Sequence, residues 1–520
     1  MPPRSSVRKV IGQKEQGGPA KPGKPNSGKN KNGQGKSSEN ANQILKNRPT
    51  IKPPKADNFG DIGIQRSNPS AYSPGDFGQI DELPPLSSVT EDKFDDMLRQ
   101  KLQQCRIICN FTTDYADLKS KTMKQTYLQE ILDHISQPRF YRLMEPETIQ
   151  ALFAMIKANI IRSLPPIPDL AKVPMIGDDI NDTIYESAWP HLELVYQIFQ
   201  RFLESALLEP ASVEQYVDAS FIVQFLLLFN SSDQRERDSL KMVLHRLYLK
   251  FVSKRPFIRQ AIQHIFYTYI YETKYFSGIF ELLEIMVSII NGYAIPLKQE
   301  HKDFLTKILL PLHTSNFLHT FHQRLFDCVN QYIKKDATLI PVIVRELLKI
   351  WPVSCSLKEL IFISVFSKIF DSMSDEQFKE LMFDLFHRVG LCITSDNFQV
   401  SEAGMLLWKN DRFIKCIKAN AKELYPIICP FLYKTGTNHW NPAIKNLAVS
   451  VIRICMQTAS DVFEAFSRSM KSQSLQEANR IAGERDTWKL VINTALTQDS
   501  TIDAKEKNAD VDAVFVNNEA

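Results

Sequence analysis

From Asp92 to about Met470, apolar side chains recur three and four positions apart, with only brief interruptions. That spacing puts them on one face of an α-helix, and no stretch alternates apolar and polar residues convincingly enough to predict a strand. The interruptions fall at Leu164 to Pro168, Leu208 to Pro210, Asn230 to Asp233, Asn291 to Pro296, Pro311 to Asn316 and Trp351 to Ser356. They divide the chain into segments of about ten to eighteen residues, and helix pairs return every forty or so, the period of HEAT and armadillo repeats. One such helix cannot bury its apolar face alone, so neighbouring pairs must stack and the core becomes a continuous strip. The predicted fold is all-α: a HEAT/armadillo-like helical-repeat solenoid with disordered termini. Runs such as FIVQFLLLF at Phe221 to Phe229 and IFISVFSKIF at Ile361 to Phe370 are core stripes in this reading.

Three regions follow from the pattern. Residues 1–86 are rich in Gly, Pro, Ser and Lys, with too few aliphatic side chains to offset the entropy of ordering, and form a predicted disordered tail. Its first half is basic: Arg4, Arg8, Lys9, Lys14, Lys21, Lys24, Lys29, Lys31 and Lys36 face only Glu15 and Glu39. Residues 87–470 are the solenoid, and 471–520 are a polar helix followed by an acidic tail. The segment from Pro165 to Asp182, PPIPDLAKVPMIGDDIND, is long for a connection between stacked helices, as functional loops often are.

Charge and cysteine usage narrow the setting. A formal net charge of +4 over 520 residues is near balance, and acidic and basic residues interleave in the helical part, so neither nucleic acid nor an anionic membrane is an expected partner. The eight cysteines include no CxxC pair, and Cys105 and Cys109 stand four apart in a predicted helix, consistent with small core residues in a reduced compartment. The N-terminus has no signal-peptide core, and no stretch approaches the roughly 18 uninterrupted apolar residues of a membrane span. The expected location is cytoplasmic, with the nucleus as a second possibility.

Catalytic chemistry is missing from the pattern. There is no GxxxxGK[ST] phosphate loop, no GxSxG, no HExxH and no zinc-like cysteine pairing. His319 and His322 have metal-like spacing without a third ligand, and the carboxylates of GDDIND at Gly177 to Asp182 lack a calcium-loop pattern. No cofactor, no metal and no enzymatic activity are predicted.

Apolarity and charge separate most cleanly between Gln234 and His301. Leu240, Leu244, Leu247 and Phe251 form one helical stripe, while Lys241, His245 and Tyr248 share another face. In a second helix, roughly Tyr275 to Ile290, Leu282, Leu283, Met286 and Ile290 point to a core, with Glu284, Ile285 and Ile289 to one side. The expected arrangement is a groove with an apolar floor of Ile285 and Ile289 under a rim of Lys241, His245, Arg246 and Arg255. It would suit a short peptide with aliphatic anchors and a carboxylate.

The runs RERDSLKMVLHRLY, YIYET and ELLEIMVSIINGYAIPLKQEH in this stretch resemble the B-prime family of regulatory subunits of protein phosphatase 2A. AWPHLELVYQIFQRFLES, LLKIWPVSCSLKELIF, SDNFQVSEAGMLLW and HWNPAI extend the resemblance over about Ser87 to Met470. It implies a non-catalytic subunit that docks on the scaffold and catalytic subunits of that phosphatase and selects client proteins carrying LxxIxE-like motifs. The implied pocket comprises Lys241, His245, Arg246, Tyr248, Arg255, Glu284, Ile285, Ile289 and His301. Arg246 and Arg255 are expected to bind carboxylate or phosphate, His245 to donate to the motif carboxylate, and Lys241 and His301 to add positive potential. The sequence departs from the family pattern at Leu249, where glycine is usual, and at Pro256, with a possible effect on the turn that aims Arg255. A second reading, a cargo adaptor of the nuclear-transport or nucleic-acid-binding type, draws on the basic tail and the array. The five tryptophans, Trp189, Trp351, Trp408, Trp440 and Trp488, do not follow the ladder spacing of that class.

Overall fold

The structure, a computed structural model, describes residues 79–111, 115–143, 145–165 and 185–498, and every regular element among them is helical. The readings made for the basic tail, for most of the 165–182 loop and for the acidic tail lie outside these residues.

The array opens with α1 (Glu91–Gln104), α2 (Leu118–Ile135), α3 (Pro146–Ile160) and α4 (Trp189–Glu204). Its middle is α5 (Ala219–Leu227), α6 (Gln234–Lys250), α7 (Arg255–Thr268), α8 (Ile279–Asn291) and α9 (Gln299–Phe304), with π-helical turns prolonging α7 and α9. There follow α10 (Leu318–Lys335), α11 (Ile340–Lys349), α12 (Ser356–Phe370), α13 (Asp375–Ile393) and α14 (Phe398–Leu406). The last helices are α15 (Asp411–Ala419), α16 (Ala421–Asn438), α17 (Pro442–Thr458) and α18 (Ser460–Gln498). The boundary expected at 470 falls inside α18, which runs unbroken through it.

The helices stack in two layers. In one, α2, α4, α6, α8, α10, α12, α14 and α17 each pack on the next. In the other, α1 packs on α3, α5 on α7, α11 on α13, and α13 on α16. One continuous apolar cluster runs between the layers from Ile80 to Phe463, as repeat stacking requires.

Local chemistry sets the helix starts. Side chains of Asp218, Asp233, Asn397, Asn410 and Asn441 accept hydrogen bonds from the first free backbone N–H groups of α5, α6, α14, α15 and α17. Ser374 and Gln377 form a reciprocal capping box on α13. Proline stands in the first turn of α3, α4, α7, α11 and α17, where no intrahelical N–H is lost. Pro256 is one of these, so it fits the start of α7 without disturbing the turn before it. Cys105 and Cys109 do not share a helix: α1 ends at Gln104 and Cys105 caps it. Seven of the eight free cysteines are buried, and Cys355 is half-buried.

A polar cluster fixes the start of α6. Glu236 is fully buried, and its carboxylate accepts from Arg162 at 2.7 and 2.9 Å, from the Tyr196 hydroxyl at 2.9 Å and from the Ser231 hydroxyl at 2.5 Å. Arg162 also donates to Glu186 at 3.0 Å, and the Glu186 backbone N–H donates to Asp233 at 2.9 Å. Both flanks of the 166–184 segment are thereby tied to the head of α6. Burial raises the Glu186 carboxyl above its usual range, with Arg162 opposing it. Arg162→Ala would strand two buried carboxylates, costing about 3–5 kcal/mol. Hydrogen exchange should then speed up in α4 and α6, and Glu236→Gln in the same chain should return part of the protection.

His313 is buried, with Nδ1 3.1 Å from the carbonyls of Leu309 and Leu310. Burial pushes its pKa down to about 4, against 6.5 for a free side chain. A native pKa below the unfolded one means that the unfolded chain takes up the proton first on acidification. Stability is therefore full above about pH 6.5 and falls as pH drops toward 4, by up to about 3 kcal/mol for this group. Urea titrations at pH 7 and pH 4.5 should show a smaller difference in His313→Leu than in the natural chain.

Candidate functional site

The helices that carry the candidate residues are positioned by their buried stripes. On α6, Leu240, Val243, Leu244 and Leu247 are buried, with Phe251 just past its end. Lys241, His245, Arg246 and Tyr248 are half-buried on the opposite side. Gly278 caps α8, where a Cβ would come 2.5 Å from the Phe229 carbonyl oxygen, so the turn before α8 passes that close to the α5–α6 corner. The helix begins at Ile279 rather than near Tyr275, because Lys274 adopts a left-handed conformation with φ 56° and ends the preceding π-turn.

Polar contacts across the face are mostly intramolecular. Lys241 Nζ lies 2.9 Å from Glu284 Oε2 and 3.2 Å from Asp238 Oδ1, and Arg324 of α10 approaches Glu284 at 3.7 Å. Burial alone would lower the Lys241 pKa, but the hydrogen bonds its ammonium donates to Glu284 and Asp238 raise it. Arg246 Nε sits 2.9 Å from Glu204 Oε1 at the end of α4, without the alignment of a hydrogen bond. Burial, then the neighbouring Arg246 charge, lowers the His245 pKa, leaving its ring neutral near pH 7.

Arg255 serves the fold rather than an open rim. Its Nε donates to the Tyr248 carbonyl at 2.8 Å and its Nη2 to the Leu249 carbonyl at 3.1 Å, satisfying acceptors at the end of α6, and the guanidinium lies over the Tyr248 ring. Arg259, one turn further along α7, donates to the Tyr248 hydroxyl at 3.3 Å.

Three expectations are corrected. Ile285 and Ile289 are 3% and 4% exposed and belong to the continuous core, so they do not form an open floor. The reason is that α8 packs against both α6 and α10, and its buried arc takes in Glu281 and Ile285 as well as Leu282 and Met286. His301 adds no positive potential at an edge. It is 8% exposed, stacked face to face on Tyr293 at 3.6 Å, and burial followed by nearby Arg259 and Lys298 lowers its pKa despite the opposing pull of Glu300. Its carbonyl is held by the Tyr332 hydroxyl at 2.9 Å. The third correction is the engagement of Arg255 just described.

The structure thus joins Lys241 to Glu284 and Tyr248 to Arg255, sets His245 beside Arg246, and places His301 under Tyr293. The sequence reading missed Arg259, Glu204 and Tyr293. The Tyr293 hydroxyl and His301 Nδ1 are buried without a hydrogen-bond partner, an arrangement that leaves polar capacity beneath the face. His322 Nδ1 turns back to the carbonyl of His319. Among the described residues no three His, Cys, Asp or Glu side chains are placed to hold a metal ion, and no single helix is long and apolar enough to cross a membrane. The five tryptophans mark helix starts, turns and α18 rather than one wall of the array.

These features define a helical-repeat protein with a polar outer surface along α6. Residues 83–495 match the protein phosphatase 2A regulatory B subunit (B56 family), and the chain belongs to that family. It is 40% identical to the human serine/threonine-protein phosphatase 2A 56 kDa regulatory subunit alpha isoform over 417 residues, 80% of this chain and 85% of the relative. Identity to the Rattus norvegicus beta isoform of the same 56 kDa protein is 37% over 448 residues, covering 85% and 89% of the two chains. The chain is 38% identical to the Caenorhabditis elegans regulatory subunit pptr-1, covering 82% and 78%. Its role is regulatory and non-catalytic.

Proposed function

We propose that this chain assembles with the scaffold and catalytic subunits of protein phosphatase 2A and brings to them clients that carry LxxIxE-like acidic motifs. The observation that carries the client reading is that Lys241, His245, Arg246 and Tyr248 span the part of α6 turned away from its buried stripe, with Arg259 of α7 joined to Tyr248, in a member of this family. Arg246 is the main anchor for the motif carboxylate, since its guanidinium can offer two parallel donors. His245 donates a further hydrogen bond, and Lys241 contributes charge once it releases Glu284. The Tyr248 ring, held by Arg255 and Arg259, receives an aliphatic anchor, and Ile285 and Ile289 support this surface from beneath.

Two measurements test the reading. Affinity capture of the full chain should recover a scaffold and a catalytic subunit in equal amounts, and recovery of neither would refute the assembly. In calorimetric titration with an acidic LxxIxE peptide, Arg246→Ala should weaken binding by about tenfold to a hundredfold, as loss of a charge-assisted hydrogen bond predicts. Arg246→Glu should weaken it further while the helical signal is kept. Ile289→Ala should lower thermal stability as well as affinity, because its side chain lies in the core.

The pH dependence has a defined sign. His245 is neutral near pH 7, and a bound carboxylate favours its protonated form, so binding takes up a proton. Affinity should rise as pH falls from 7.5 to about 5.8, then drop below about 4.5 as the peptide carboxylates protonate. A flat profile between pH 7.5 and 5.8, equal to that of His245→Asn, would remove His245 from the site.

A further inference from the structure

The exposed crest of α6 holds two apolar side chains that the polar reading of the site leaves without a role. Met242 is 41% exposed and Leu249 is 48% exposed, two helical turns apart. At roughly 100° per residue they lie within about 20° of one line along the helix. On the same count His245 is about 60° to one side of Met242 and Arg246 about 40° to the other. An anion held jointly by His245 and Arg246 must therefore cross this line. The backbone at the Leu249 end is held in place, because the Leu249 carbonyl accepts from Arg255 Nη2.

From this placement we infer that Met242 and Leu249 form a specificity ridge for an acidic client peptide with an aliphatic residue two positions after the motif glutamate, LxxIxExΦ. The inference rests on the client reading proposed above and adds to it the residue class flanking the carboxylate. In an extended peptide, residues two apart share a face and stand roughly 7 Å apart. Along α6, Arg246 lies about 6 Å in axial rise from Met242 and about 4.5 Å from Leu249, so the second side chain reaches the ridge when the glutamate is on Arg246. The position two before the glutamate already belongs to the motif's own isoleucine, which leaves the position after it. Charge complementarity fixes the class of occupant: Arg246 beside the ridge already takes a carboxylate partner, Glu204, and an acidic ligand can replace that partner whereas an uncharged apolar one cannot. The unbranched thioether of Met242 adapts to more than one aliphatic shape.

The test uses the full chain and two peptides that differ only at the position two after the glutamate, leucine in one and alanine in the other. The natural chain should bind the leucine peptide about fivefold more tightly, the gain from burying one aliphatic group. In Met242→Ala/Leu249→Ala the ratio should collapse toward one. Leu249→Gln keeps the bulk but not the apolarity and should also shrink the ratio. Both positions are solvent-facing and alanine favours helix, so circular dichroism should be preserved. Equal affinity of the natural chain for the two peptides, or a ratio that survives the double substitution, would overturn the ridge while binding of the alanine peptide keeps the client reading. Failure of both peptides to bind would overturn the client reading and the ridge with it.

Discussion

Glu236 carries a carboxylate to a place fully shut off from solvent, and the outer face of α6 depends on how that charge is met. Arg162 meets it with two donors, and Tyr196 and Ser231 complete the shell. A paired buried charge is not a large net stabiliser, but it is highly intolerant of misplacement, since breaking it leaves an ion in a poorly solvating interior. It therefore sets where α6 begins relative to α3 and α4. Further along the helix, Arg237 bonds Glu281, Lys241 reaches Glu284, and Lys250 bonds the Ser205 carbonyl. These contacts fix the rotation of α6 about its own axis, and that rotation decides which side chains face outward.

Stability and recognition use different sides of the same helices. The apolar strip between the layers supplies the bulk of the folding free energy, at about 1.5–3 kcal/mol for each fully buried aliphatic side chain. The polar ties across the outer face contribute far less apiece because they are partly solvated. Under the proposed client reading, substitutions at the crest of α6 would tune selection while the stacked core is untouched. Ile285 and Ile289 are the exception, because they lie in the core directly below the face.

Much of this was legible in the sequence. The three-and-four spacing gave the helices, and the Ser, Asn and Pro clusters marked the corners that prove to be caps and first turns. The stripe through Leu240, Leu244 and Leu247 is buried as expected. Ile285 and Ile289 were placed on an open floor because periodicity assumes a narrow covered stripe, whereas α8 is flanked by α6 and α10 and its buried arc is wide. Nothing local distinguishes those cases. Arg255 was readable in principle: a cation five residues beyond the last residue of α6 can fold back on its free carbonyls. Glu236 also left a signal, a charge four residues before Leu240 on the buried stripe, although its partner Arg162 is 74 residues away in the chain. The stacking of His301 on Tyr293 depends on the turn between α8 and α9, which residue types alone do not specify.

Under the proposed client reading, the contact between Arg246 and Glu204 would set a threshold for ligands. A carboxylate of the protein itself already stands beside the main anchor, at an effective concentration that no dilute ligand can match. An arriving acidic residue competes against this resident acid rather than filling empty space. A lone surface glutamate on a passing protein offers no advantage over Glu204 and is refused, whereas a peptide that pairs its carboxylate with other contacts can displace it. In that reading, a single side chain at the end of α4 would discriminate against scattered surface acids.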